Sequence, residues 1–174
     1  MGHREHEARA RDVAPAVLCG VITISDTRSE ESDTSGQVIQ QLLADHGHLT
    51  ARYRVVKDEP AQIVAAVREF AAAGCQVILT NGGTGIASRD STFEAIDGLL
   101  EKRLPGFGEL FRMLSYQEIG AAAMLSRATA GTFGASLVFC MPGSTGAVRL
   151  AMQKLIVPQL SHLVWETTRQ GRGS

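Results

Sequence analysis

The sequence is short of several things, and each shortage excludes a class of protein. It holds three cysteines, Cys19, Cys75 and Cys140, in 174 residues. The number is odd, no two lie close together, and no C-x-x-C occurs. A disulfide framework or a cysteine zinc site is therefore not expected. Cys19 and Cys140 lie inside apolar runs, as small buried hydrophobes do, so a reducing cytoplasm is the expected compartment. An excess of one charge is also missing: 17 Lys and Arg face 18 Asp and Glu, for a net charge of -1. A chain so balanced has no electrostatic footprint for nucleic acid or an anionic membrane. No apolar run reaches the roughly 18 residues that span a bilayer. Residues 1–14 are mostly charged or small and lack the apolar core of a secretory signal, so they read as a flexible leader. Residues 171–174 read as a short polar tail. The histidines lack H-E-x-x-H or comparable ligand spacing: His3 and His6 lie in the leader, His46 and His48 flank Gly47, and His162 stands alone.

What is present is an ordinary globular composition, 44% apolar and 20% charged, which places one domain over 15–170. The hydrophobic pattern alternates strand and helix. Residues 17–25 (VLCGVITIS) are nearly all apolar or β-branched, the pattern of a strand buried on both faces. A helix follows over 35–46, capped by Thr34 or Ser35 and ended by Gly47. Residues 49–56 alternate, as a half-exposed strand near a sheet edge does. A second helix spans 60–73, with Pro60 in its first turn and Gly74 after it. Residues 76–80 form a third strand. Ser91 and Glu94 have capping-box spacing at the head of a helix reaching about Lys102. Further helices are expected over 107–117 and 120–125. The last strand covers 136–141, and a final helix runs from Thr145, with a kink at Pro158, to near Arg169. Phe107, Leu110, Phe111 and Leu114 read equally as core or as an oligomer face. Trp165 reads as packing. The expected fold is a three-layer α/β/α domain with a mainly parallel sheet.

In such sheets ligands sit beyond the carboxyl ends of the strands. Four loops occupy that position: 26–36, 58–59, 81–90 and 142–146. The loop NGGTG at 81–85 is the sharpest feature. Gly82, Gly83 and Gly85 let the backbone bend and approach a ligand, its N–H groups can cradle an anion, and Thr80 and Thr84 add hydroxyls. It is neither a Walker A loop nor a G-x-G-x-x-G fingerprint. PGSTG at 142–146 repeats the theme between a strand and a helix start. Two such loops suit a ligand with more than one phosphate, or two phosphorylated ligands. Asp26, Asp33, Asp58, Glu59 and Asp90 fall in the same loops, where each is either a helix cap or an oxygen ligand for Mg²⁺. Arg28 and Arg89 are either surface charges or counter-charges to phosphate.

At these loops the sequence resembles the MoaB/Mog family of molybdenum cofactor biosynthesis proteins. The resemblance rests on VITISD at 21–26, DTSG at 33–36, VKDE at 56–59, LTNGGTG at 79–85 and SRD at 88–90. It continues through PGFGELFR at 105–112, LSYQEIG at 114–120, Ser126-Arg127-Ala128 on to Gly131, and MPGST at 141–145. It spans essentially the whole folded part, with the 106–120 segment and the MPGST loop nearer the MoaB branch. It implies an α/β/α fold, homotrimers or homohexamers, and an enzyme with a substrate, molybdopterin, whose terminal phosphate receives AMP from Mg²⁺·ATP with release of pyrophosphate. A molybdate-insertion protein would then receive the product. Carried over by position, Asp58 and Asp90 match the acidic positions linked to catalysis and would be catalytic groups or metal ligands. Thr80, Asn81, Gly82, Gly83, Thr84 and Gly85, with Arg89, Pro142, Gly143 and Ser144, would hold phosphates. Ser25 and Asp26 would contribute beside them or simply order their loop. Two alternatives stand beside the transferase: a non-catalytic molybdopterin-binding or scaffold protein of the same pathway, and a domain binding some other phosphorylated metabolite.

Overall fold

The computed structural model describes residues 16–168. Residues 1–15 and 169–174, which include the expected leader, the tail and the expected helix end at Arg169, lie outside the described residues. Six strands form one sheet in the order β2-β1-β3-β6-β5-β4. The strands are β1 (Leu18–Ile24), β2 (Leu49–Val56), β3 (Val77–Asn81), β4 (Lys102–Arg103), β5 (Thr129–Phe133) and β6 (Ser136–Met141). The four strands β2, β1, β3 and β6 run parallel. β5 and β4 join antiparallel on one side.

Helices α1 (Thr34–Asp45), α4 (Pro105–Ile119), α5 (Thr145–Ala151) and α6 (Val157–Thr168) cover one face; α2 (Pro60–Ala72) and α3 (Thr92–Asp97) cover the other. The first face buries Ile39, Leu43, Phe111, Met152 and Leu160 against Cys19, Val21, Leu79 and Phe139. The second buries Ile63, Val67, Phe70 and Ile96 against Ile22, Ile78 and Val138. A strand apolar on both faces needs both layers, which is why β1 and β3 read as continuous apolar runs. The expected three-layer α/β/α fold is the one observed. Among the described residues no helix is long and apolar enough to cross a membrane.

Several local expectations are corrected. The cap of α1 is Asp33 rather than Thr34 or Ser35: its carboxylate accepts the Gly36 N–H at 3.0 Å. The Ser91–Glu94 capping box does not form, because the Ser91 hydroxyl donates to Asp58 and Glu94 pairs with Arg127. Helix α3 stops at Asp97, and the segment expected to continue it contributes β4 to the sheet. Strand β5 went unseen in the sequence because TAGTF is short and lacks alternation. Gly131 lets it approach β4, for a Cβ there would stand 2.2 Å from the Lys102 carbonyl oxygen. The break expected at Pro158 takes the form of a π-helical turn, Met152–Ile156, just before α6. Lacking an N–H, Pro158 cannot donate to the carbonyl four residues back, which favours a change of register there.

The chain passes from β1 to β2 on one side, then crosses to β3 on the other. The carboxyl ends of β1 and β3 are therefore a topological switch point, where loops diverge and leave a crevice.

Candidate functional site

A cavity of about 390 Å³ opens at that switch point, and Ser25, Arg28, Gly82, Thr84, Gly85 and Gly143 are among the residues lining it. It combines the ends of β1, β3 and β6. The loop after β3 and the loop after β6 meet through backbone. Gly82 donates its N–H to the Met141 carbonyl at 3.1 Å. Gly82 has φ +100° and a Cβ on it would lie 2.1 Å from the Ile24 carbonyl oxygen, so this position requires glycine.

Three side-chain systems hold the cradle. In the first, Arg127 donates through Nε to the Thr84 carbonyl at 2.9 Å and through Nη2 to the Gly85 carbonyl at 2.6 Å. Its guanidinium also pairs with Glu94 and lies 4.9 Å from the centre of the Phe93 ring. Glu94 is held below the usual carboxylate range, chiefly by the hydrogen bond from Arg127. Sequence reasoning assigned no site role to Arg127; its signal was membership of the Ser126-Arg127-Ala128 motif.

The second system centres on Asp58. Its Oδ1 accepts the Ser91 N–H at 3.2 Å, the Ser91 hydroxyl at 2.7 Å and the Thr92 hydroxyl at 3.4 Å. Asp58 in turn donates its backbone N–H to Asp26 Oδ1 at 3.2 Å. Arg89 donates to Asp26 Oδ2 at 2.9 Å and to Glu59 Oε1 at 3.3 Å. The Asp26 carboxyl sits below its ordinary range, first because of Arg89 and then because of the Asp58 N–H. Asp90 closes the glycine loop: its Oδ2 accepts the Ala87 N–H at 3.0 Å and would lie 2.5 Å from a Cβ on Gly85.

The third system faces the β6 loop. Ser35 donates its hydroxyl to the Gly143 carbonyl at 2.7 Å, and Arg28 Nη1 donates to the same oxygen at 3.3 Å. Arg28 Nη1 also bonds Ser35 Oγ at 3.1 Å and stands 3.7 Å from Asp33 Oδ1. Asp33 is fully buried, and its Oδ2 accepts the Tyr53 hydroxyl at 2.7 Å. Burial first, then this bond, raises the Tyr53 pKa.

The expected site residues thus fall into two groups. Ser25, Gly82, Gly83, Thr84, Gly85, Pro142 and Gly143 line the cavity. Ser25 also accepts the N–H groups of Thr27 and Arg28 and so shapes its own turn. Thr80 and Asn81 are buried beneath it: Thr80 donates to the Phe139 carbonyl, and Asn81 Nδ2 to Thr23 Oγ1. Asn81 Oδ1 has no hydrogen-bond partner among the described residues. Ser144 caps α5 by accepting the Ala147 N–H. Asp26, Asp58, Asp90 and Arg89 stitch the surrounding loops together. Among the described residues no cluster of three or more His, Cys, Asp or Glu is placed to hold a metal ion. Leu125 and Pro142 also line a second hollow of about 330 Å³, which is more apolar and includes Ile119, Ala122, Ala147 and Leu150. The three cysteines are free and buried, with Cys19 and Cys140 pushed up to about 12 chiefly by burial.

Glycine-rich loops at the switch point of an α/β/α sheet are a common setting for phosphorylated ligands. A family model described as "Probable molybdopterin binding domain" matches residues 20–162. The chain belongs to the MoaB/Mog family of molybdenum cofactor biosynthesis proteins. It is 52% identical over 172 residues to molybdenum cofactor biosynthesis protein B of Bacillus cereus, covering 98% of this chain and all of that one. A crystal structure of a molybdenum cofactor biosynthesis protein B superposes with a TM-score of 0.88 at 55% identity, over 90% of this chain and 99% of that one. The tungsten cofactor synthesizing protein MoaB from Pyrococcus furiosus gives a TM-score of 0.80 at 37% identity, over 88% and 99%.

Proposed function

We propose that the protein acts in molybdenum cofactor biosynthesis by binding molybdopterin and transferring AMP to its terminal phosphate from Mg²⁺·ATP. The observation that carries this reading is the pair of loops in backbone contact at Gly82 and Gly143, around a cavity rimmed by Arg28. A phosphate monoester fits such a cradle of N–H groups. The neighbouring apolar hollow suits a flat ring system.

The chemistry asks little of side chains. An oxygen of the pterin phosphate, already ionised at neutral pH, attacks the α-phosphorus of ATP. The bond from that phosphorus to its bridging oxygen breaks, and pyrophosphate leaves with that oxygen. No general base is needed; holding two anions in line is the main task. Mg²⁺ carried in with the nucleotide would supply charge neutralisation. Asp58 Oδ2 and Asp90 Oδ1 accept no hydrogen bond among the described residues, and one or two carboxylates plus substrate phosphates are a normal Mg²⁺ set.

A non-catalytic molybdopterin-binding role is the second reading. The engagement of Asp58 with Ser91 and Thr92, and of Asp90 with Ala87, favours it, since both carboxylates already order the loops. The deciding experiment incubates the purified protein with Mg²⁺·ATP and molybdopterin and reads adenylylated pterin by mass spectrometry, with Asp90→Asn beside it. Adduct from the parent and none from the variant supports transfer. Bound pterin without adduct from either supports the binder.

The protein is further proposed to work as a homotrimer or homohexamer in the cytoplasm. Leu110, Met113, Tyr116 and Ile119 are exposed at three-residue spacing along α4, with Met124 and Leu125 beyond it. So much apolar surface on one segment suits a second copy. Sedimentation of the purified protein reads the assembly directly. The molybdate-insertion protein is the proposed recipient of the product.

A further inference from the structure

Arg89 and Arg28 both flank the switch point, but the structure treats them differently. Arg89 is engaged by Asp26 and Glu59, and its side chain is 63% exposed. Arg28 lines the cavity, and among the described lining residues it is the one charged side chain. Among the described residues only its Nη1 is hydrogen-bonded, to Ser35 and the Gly143 carbonyl. Its Nε and Nη2 hydrogens have no partner among the described residues. The group is ion-paired on one side only: the buried Asp33 carboxylate stands 3.7 Å from Nη1 and shares its oxygens with Gly36 N–H and the Tyr53 hydroxyl. The α1 N-terminus lies at the same place through Ser35, so its dipole adds to the positive potential.

We infer that Arg28, rather than Arg89, is the residue that contacts the terminal phosphate dianion of the ligand and selects phosphorylated from unphosphorylated forms. The inference rests on the cavity being the ligand site proposed above. Asp33, Ser35 and the Gly143 carbonyl are its positioning groups; they set the guanidinium so that the remaining donors face the cavity. The matching chemistry is a phosphate ester or anhydride, whether of the pterin or of the nucleotide.

The test compares Arg28→Ala, Arg28→Lys and Arg89→Ala with the parent protein by calorimetric titration. The probes are molybdopterin, its phosphatase-treated dephospho form, Mg²⁺·ATP and adenosine. Loss of a charge-assisted contact weakens binding about ten- to a hundredfold. That loss is expected in Arg28→Ala for molybdopterin or Mg²⁺·ATP, with the dephospho form or adenosine unchanged. The affected probe identifies which phosphate is read. Arg28→Lys retains part of the affinity, because the point charge remains while the fork is lost. Arg89→Ala, which releases Asp26 and Glu59, shifts phosphorylated and unphosphorylated probes alike. Equal loss for phosphorylated and unphosphorylated probes would reduce Arg28 to a prop for the Gly143 loop and overturn the inference. Unchanged binding in Arg28→Ala would overturn it too. A parent protein that binds none of the four probes would instead sink the site reading beneath it.

Discussion

Gly82 and Gly143 touch through backbone alone: a Cβ on Gly143 would stand 2.9 Å from the Gly82 Cα. The two loops that carry the proposed phosphate site are therefore packed as one object. Any side chain between them separates them.

The first prediction follows from that contact. Gly143→Ala introduces a methyl against main chain, which cannot rotate away. Overpacking of this kind costs about 1–3 kcal/mol. The variant is expected to melt lower by several degrees and to lose molybdopterin affinity together. Calorimetry with a binding titration checks both; a variant of parental stability and affinity would refute the packing argument.

Asp58 gives a second prediction. It is 8% exposed and gathers Ser91 and Thr92 at the start of a helix only six residues long. Asp58→Ala strands those donors, at about 1–3 kcal/mol. The loss should appear in thermal unfolding without any ligand present. If Asp58→Ala abolishes adduct formation while leaving the melting temperature untouched, its role is catalytic and not architectural.

Arg127 gives a third. Its guanidinium satisfies the Thr84 and Gly85 carbonyls and Glu94 at once. Arg127→Met keeps some of the stem packing over Phe93 but leaves those carbonyls free to rotate. Hydrogen exchange in 82–86 is expected to quicken in this variant, while β1 and β3 amides exchange as before. Unchanged protection in that loop would remove the clamp from the account.

Acid stability provides the fourth. Asp26, Glu69, Glu94 and Asp97 all sit below their ordinary pKa range, each first because of a hydrogen bond from an arginine: Arg89, Arg54, Arg127 and Arg103. A carboxyl whose pKa is depressed by folding binds fewer protons folded than unfolded. Its contribution is complete above the unfolded value and disappears as pH falls through the folded one. The melting temperature should be flat with respect to these groups from neutral pH to about 5 and fall below about 4. Asp26→Asn should reduce the acid-side slope, and denaturation curves across that interval measure it.

Much of the architecture was written in the local pattern. The apolar runs of β1, β3 and β6 require cover on both faces, so alternating helices and a parallel sheet followed from composition and period alone. The loops NGGTG and PGSTG were equally legible, because glycine and small residues at a strand end have few other uses. The burial of Cys19 and Cys140 as small hydrophobes was also readable there.

Pairing decisions were not. Whether Ser91 caps its own helix or binds Asp58, and whether Arg89 or Arg28 faces the cavity, depends on which loop lies beside which. That is settled by strand order, through contacts between residues tens of positions apart. The β5 segment carried no period because its place in the sheet comes from antiparallel neighbours and from Gly131 admitting the β4 backbone. The sequence by itself determined the layers and the loops; the tertiary structure alone decided which charges meet, because a hydrogen bond has a range of about 3 Å and no memory of sequence distance.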